Sequence, residues 1–176
     1  MQLDVIGYRY TKEELEVLMS LQGREKIPAL PMIARPDRDD FSKGIGALEE
    51  NDILTNIGGN LLLDRIHAFI AESLSDCDRY FTVARENAFL ALCVCTRVTL
   101  TAETKDGEHW VIRVAPDPEN LREDFDRIIK TIGVPAAVRF RDGGEELESE
   151  AKSQEDLEKR AEKAIAELKK QEELFS

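Results

Sequence analysis

The side chains in this sequence that could do chemistry are few. Cys93 and Cys95 stand two apart, so on an extended strand both thiols lie on one face. With Cys77 and the two histidines, His67 and His109, they form a soft donor set of the kind that binds zinc. The spacing does not follow through. Structural zinc sites use C-x-x-C knuckles with a second matching pair, and a single C-x-C has none. Free cysteine is also among the most buried side chains, and Cys93 and Cys95 sit in a run of apolar residues. Buried structural thiols, with no metal and no cofactor, are therefore expected. A Cys–His nucleophilic pair would need a reachable thiolate, and neither histidine falls in a motif such as H-E-x-x-H. No catalytic residue is assigned, and the chain is expected not to be an enzyme.

Two glycine-rich spots, Gly44-Ile45-Gly46 and Ile57-Gly58-Gly59-Asn60, could in principle cradle phosphate. Neither matches a P-loop or a strand–G-x-G-x-x-G–helix context. The acidic cluster Asp37, Asp39 and Asp40 opens a helix, where it complements the helix dipole. It lacks the glycine and closing glutamate of a calcium loop.

Charge narrows the partners further. The chain of 176 residues carries 36 Asp and Glu against 24 Lys and Arg, a net of −12. Nucleic-acid affinity rests largely on neutralising phosphates, and no part of the chain has the dense basic face this needs. The start, Met1-Gln2-Leu3-Asp4, has no basic residue and no long apolar run, so it does not read as a signal peptide. No stretch approaches the ~20 apolar residues of a membrane span. The three cysteines, odd in number and irregularly spaced, do not form a disulfide framework. A cytoplasmic protein is expected.

The elements that must position these residues are legible from period and punctuation. Residues 3–10 read as a strand. Thr11 and Glu14 form a capping box for a helix with Leu15, Val17, Leu18 and Leu21 on one side, ending at Gly23. Pro28, Pro31 and Pro36 mark residues 24–36 as an extended, packed connection. A second helix spans about 37–50, with Phe41, Ile45 and Leu48 at helical spacing. Gly44 and Gly46 weaken it by ~1 kcal/mol each relative to alanine. Residues 53–63 read as a hairpin around a polar Asn/Gly tip. Helix plus hairpin resembles the second half of a winged-helix unit, but the helix has a net charge of −3 and the tip has no cation. That is the wrong sign for a DNA reader.

Asp64 caps a helix running to about Ser75, with Ile66, Phe69, Ile70 and Leu74 on its buried side. Residues 79–85 form a strand, and residues 88–103 read as one long strand. Its first half is apolar on both faces. Its second half alternates, with Arg97, Thr99, Thr101 and Glu103 on a solvated side. A three-residue loop, Lys105-Asp106-Gly107, would then pair Ala102 with Trp110, Leu100 with Ile112 and Val98 with Val114, with Gly107 at positive φ. A helix spans about 119–131 and a strand 136–141. Asp142-Gly143-Gly144 is a hinge before a long polar helix over 145–174. Leu157, Ala161, Ala164 and Leu168 give that helix a narrow coiled-coil seam, widened by Ile165.

The expected fold class is α+β: an antiparallel sheet flanked by helices, a winged-helix-like helix–hairpin unit near the N-terminus, and a long polar C-terminal helix. Residues 1–142 form the domain. Residues 143–176, with eleven acidic against six basic side chains, form an appendage that projects or pairs with a partner, including a second copy of the chain. Its removal should leave the core folded.

The order of parts resembles the EspG-like accessory chaperones of type VII (ESX) secretion. The likeness lies in Thr11-Lys-Glu-Glu-Leu-Glu-Val-Leu-Met-Ser-Leu-Gln-Gly23, in the helix ending Ala47-Leu48-Glu49-Glu50-Asn51-Asp52-Ile53-Leu54, and in the Gly58-Gly59 hairpin. It continues through the strands from Arg79 to Ala115 and the helix at 119–131, covering about 1–141 as a pattern. The chain is shorter than the mycobacterial members and looks like the compact relatives found beside LXG toxin genes in Gram-positive bacteria. The resemblance implies a non-enzymatic cytosolic chaperone or adaptor that holds a helical secretion substrate in soluble form. It carries over no binding residue. A winged-helix-type transcriptional regulator or regulatory subunit is the alternative.

Overall fold

The computed structural model describes residues 5–23, 27–31 and 36–175. Residues 3 and 4 of the first strand, and 24–26 and 32–35 of the packed connection, lie outside them. The first strand, β1, is Ile6–Thr11. Thr11 then caps helix α1, Lys12–Ser20, through the reciprocal box with Glu14. In the connection, Ile27, Ala29 and Leu30 are buried.

Helix α2, Arg38–Glu50, starts at Asp37, whose carboxylate accepts from the Asp40 amide at 2.8 Å. It leads into the hairpin of β2, Leu54–Ile57, and β3, Asn60–Leu63. Asp64 caps helix α3, Arg65–Asp76, by accepting from the Ile66 and His67 amides. Ile70, Ala71 and Leu74 are its buried face. Ile66 was expected among them and is exposed, because it lies on the first turn beside the projecting hairpin rather than over the sheet.

The main sheet is seven-stranded and antiparallel, in the order β1-β7-β6-β5-β4-β8-β9. Its remaining strands are β4 Arg79–Arg85, β5 Ala88–Val94, β6 Thr99–Thr104, β7 His109–Ala115, β8 Ala136–Asp142 and β9 Leu147–Ala151. A 3-10 turn, Pro118–Leu121, and helix α4, Arg122–Ile132, join β7 to β8, and helix α5, Gln154–Phe175, closes the chain.

Strand alternation divides the core in two. Phe89, Ala91 and Cys93 of β5 face α1 and α3, together with Tyr80, Leu100, Ala102, Trp110 and Ile112. Leu90, Leu92 and Val94 face the other way, onto Phe125, Ile128 and Ile129 of α4 and Leu157, Ile165 and Leu168 of α5.

The run 88–103 is therefore two strands, β5 and β6, reversing at residues 95–98, where the Cys95 amide donates to the Val98 carbonyl at 2.9 Å. Val94 pairs with Thr99 and Ala91 with Ala102. The loop has an even number of residues, so the faces exchange across it. Even positions look outward to α4 and α5 in β5 and inward to α1–α3 in β6. The polar set Thr99, Thr101 and Glu103 is buried rather than solvated, because the Pro118–Leu121 turn lies over β6.

The β6–β7 register keeps the expected faces but is displaced by two residues. Ala102 pairs with Ile112, Leu100 with Val114 and Thr104 with Trp110. The loop spans residues 105–108 and is held by side chains. Thr104 Oγ1 accepts from the Gly107 amide at 2.9 Å, and Asp106 Oδ1 accepts from the Glu108 and His109 amides at 2.8 Å each. Gly107 has φ +80°, as the pattern required.

The C-terminal segment differs most. Residues 147–151 are not helix. They pair with β8 across the Gly143–Gly144 turn and form an edge strand whose charged Glu148 and Glu150 guard it. Nor does the helix project: Leu157, Ala161, Ala164, Ile165 and Leu168 are all buried in the second half of the core.

Candidate functional site

The residues singled out for their chemistry separate into three places. His67 lies on the first turn of α3, where its Nδ1 shares a 2.5 Å hydrogen bond with the Tyr10 hydroxyl, and Tyr8 and Tyr10 meet its ring edge-on. Burial pushes its pKa below the usual histidine value, and this outweighs the opposing charges of Asp64 and Glu14. Because protonation is disfavoured only in the folded state, this site stabilises the protein fully above about pH 6.5. That stability is lost as pH falls through the depressed folded pKa. Urea melts between neutral pH and pH 5 should show it, and His67→Gln should flatten the slope across that window. An unchanged slope in the variant would mean that His67 carries none of it.

His109 stands exposed at the start of β7, paired with Asp106 of the β6–β7 loop at 2.8 Å. That carboxylate raises the His109 pKa and holds the loop. Neither histidine is near the thiols by this placement. His67 and Cys77 stand ten residues apart along α3, roughly 15 Å at the helical rise.

The three cysteines meet at the far end of α3. Cys77 is the residue that ends the helix, Cys93 lies on β5, and Cys95 begins the turn after it. Cys93 and Cys95 share the face of the sheet toward α1–α3, as their spacing implied, and Cys77 joins them there. As a neutral thiol Cys77 donates to the Arg79 carbonyl at 3.2 Å, and Cys95 donates to the Ser73 carbonyl of α3 at 3.6 Å. Cys77 and Cys93 are buried, whereas Cys95 is only half-buried. Among the described residues, no group of three or more Cys, His, Asp or Glu side chains is arranged to hold a metal ion.

The third place is the β2–β3 hairpin, where the strand pairing sorts its side chains. Leu54 and Leu63 pair at the base, and Ile53 and Leu54 are buried in the core. Beyond them, Thr55 pairs with Leu62 and Ile57 with Asn60, so Ile57 and Leu62 share the opposite face. There Ile57 is 59% exposed and Leu62 54% exposed. Leu61 at the tip and Ile66 on the adjoining turn of α3 are exposed as well. Gly58 and Gly59, at φ +59° and +87°, make the tight turn, and the Asn56 side chain accepts from the Gly59 amide at 3.0 Å. The two strands form a sheet of their own, apart from the seven-stranded one. The sequence reads this tip as polar, but in the structure its apolar residues point outward on both faces. The three consecutive leucines 61–63 were the available signal, since a short strand cannot bury both faces without a layer on each.

No protein-family model matches this chain, and a comparison with curated proteins finds no match. Among the described residues no helix is long and apolar enough to cross a membrane.

Proposed function

We propose that this protein is a non-enzymatic protein-binding module, a cytosolic accessory chaperone or adaptor that holds a helical type VII secretion substrate through its β2–β3 hairpin. The observation that carries the reading is the exposure of Ile57 and Leu62 on one face of the hairpin, with Leu61 on its other face and Ile66 on the adjoining turn of α3 exposed as well. Large apolar side chains scattered singly over a surface need no explanation, but a cluster on one element marks an interaction surface. A two-stranded hairpin is at best marginal in water, and here only its base is tied to the core. A partner that covers the tip supplies what the fold itself does not.

The surroundings favour one kind of partner. Glu49, Glu50, Asp52 and Asp64 are exposed on the approaches to the hairpin. An amphipathic helix with an apolar stripe and basic flanks fits this arrangement. The pattern likeness to EspG-like proteins points to the same class of partner.

Co-expression with WXG- or LXG-type helical substrates tests the reading. The wild-type chain should keep such a substrate soluble in a stoichiometric complex. Replacing Ile57 and Leu62 together by Asp should weaken the complex by about tenfold or more, as expected where central apolar anchors are lost. The melting temperature of the free protein should hardly change, since both side chains already face water. A substrate that stays aggregated, or binds the double variant equally well, would overturn the proposal.

A further inference from the structure

The last turn of α3, the start of β4 and the end of β5 enclose a cavity of about 300 Å³, whose lining includes Cys77, Cys95, Arg79 and Arg97. Two thiols thus open onto one polar hollow, whose lining also includes Glu72, Asp76 and Asp78, and the third, Cys93, is fully buried. Tyr80 pairs with Cys93. Cys77, three residues earlier on the same chain, therefore arrives beside the turn that Cys95 opens.

The three thiols share one corner of the core, where the Cys77 thiol lies against the Arg79 and Val94 carbonyls and the Cys95 thiol against the Ser73 and Cys93 carbonyls. The neighbouring thiols, with Arg79 adding to the effect, hold Cys77 below the usual thiol range. The Cys77 neighbour and burial push Cys93 and Cys95 up. Cys77 and Cys95 are the two sulfurs that line the cavity, and Cys77 is the more readily ionised of them.

We propose that Cys77 and Cys95 form an oxidant-responsive dithiol that closes to a disulfide when a small hydroperoxide enters this cavity. The Cys77 thiolate attacks one oxygen of the peroxide and breaks the O–O bond. This gives the Cys77 sulfenic acid and hydroxide, which takes up the proton Cys77 released and leaves as water. The Cys95 sulfur then attacks Cys77 Sγ. Its proton leaves with the sulfenic oxygen as a second water, and the S–S bond forms. Two thiols have supplied two electrons, and one hydroperoxide has become two waters when the oxidant is hydrogen peroxide.

Geometry selects the pair. Cys93 lies near the end of β5 and Cys95 opens the turn two residues on, about 6.6 Å away along extended chain. That is an unfavourable disposition for a bridge, which prefers Cα atoms about 5.5–6 Å apart and converging side chains. Of the other two, only Cys95 shares the cavity with Cys77. The resulting bond would clasp the end of α3 to the end of β5.

The test uses the full-length protein, reduced, freed of reductant and treated with hydrogen peroxide in slight molar excess. The intact mass should fall by two hydrogens, and peptide mapping should find one cross-link, between Cys77 and Cys95. Cys93 should remain a free thiol that is alkylated only after unfolding. Cys93→Ser should form the same bond. Cys95→Ser should form none and instead carry a sulfenic acid at Cys77 that dimedone traps. In the folded wild type the bond should form about tenfold or more faster than in the urea-unfolded chain, whose thiols behave as free cysteine. Three free thiols after treatment, a bond through Cys93, or equal rates in the folded and unfolded chain would each overturn the proposal. All of these outcomes are read on the wild type even if a variant fails to fold, and none depends on a protein partner.

Discussion

A chain that ends at Asp142 is expected to lose its cooperative melt. The deleted part supplies β9 at the sheet edge and the whole of α5, whose Leu157 and Leu168 are fully buried at 0% exposure. These side chains pack with Phe81, Val83, Leu92 and Phe125 in the outer half of the core. Removing them bares that face of β4 and β8 to water and leaves α4 with one flank uncovered. Leu168→Ala alone should cost about 2–5 kcal/mol, as buried leucine truncations do. A whole domain of this kind is stable by only about 5–15 kcal/mol, so losing every such contact at once exceeds what the remainder can hold. Far-UV circular dichroism through a urea titration would read both variants. A truncated protein with a single sharp transition and a slope in proportion to its length would show that α5 is dispensable.

This expectation reverses the one drawn from sequence, and the reason is physical. A seam of Leu157, Ala161, Ala164 and Leu168 looks thin because alanine buries little area of its own. Against a second helix it would be weak. Against a sheet, the small side chains at 161 and 164 let the helix axis come close, and the large partners, Phe81 and Phe125 among them, are supplied by the other side. The area buried belongs mostly to residues far away in sequence, so no local window can show it.

Much of the fold was legible for the opposite reason. The capping box at Thr11 and Glu14, the cap at Asp64 and the hairpin turn at Gly58–Gly59 are each settled within four or five residues, and each stands where expected. The break in the run 88–103 was not legible. The turn Cys95-Thr96-Arg97-Val98 contains no Gly, Pro, Asn or Asp, and with both faces of β5 apolar the exchange of faces across it leaves no trace in the alternation. The β6–β7 loop shows the limit of parity. Hydrophobic pattern excludes a one-residue slip, because that exchanges faces, but it is blind to a slip of two. The choice fell to the hydrogen bonds of Thr104 and Asp106. The thiol site was half legible: the shared face of Cys93 and Cys95 follows from their spacing, whereas the arrival of Cys77 depends on where α3 meets the sheet.

Gly44→Ala is expected to destabilise the protein by about 2 kcal/mol, while Gly46→Ala two positions along the same helix stabilises it by about 1 kcal/mol. Both glycines lie inside α2, so both replacements gain the same ~1 kcal/mol of helix propensity. What differs is the space. A Cβ at Gly46 would meet nothing within 4 Å. A Cβ at Gly44 would lie 2.6 Å from Val17 Cγ2 and 2.7 Å from the Glu13 carbonyl oxygen of α1. The valine methyl could turn away, but the carbonyl belongs to the backbone of the facing helix, so α1 and α2 must separate. Overpacking of this kind costs about 1–3 kcal/mol and occasionally more. Two contacts under 3.0 Å, one of them to backbone, place Gly44 at or beyond the top of that range, from which the propensity gain is subtracted. Adding Val17→Ala should therefore rescue little, since it removes the methyl and leaves the carbonyl. Gly44→Leu should be worse than Gly44→Ala. Because α2 runs directly into β2, its displacement should also carry the hairpin away from its base at Ile53 and Leu54. Paired urea melts of the two alanine variants decide the matter. Equal shifts at the two positions would mean that α1 and α2 do not approach at Gly44, and a full rescue by Val17→Ala would mean that only the side chain, not the backbone, limits their approach.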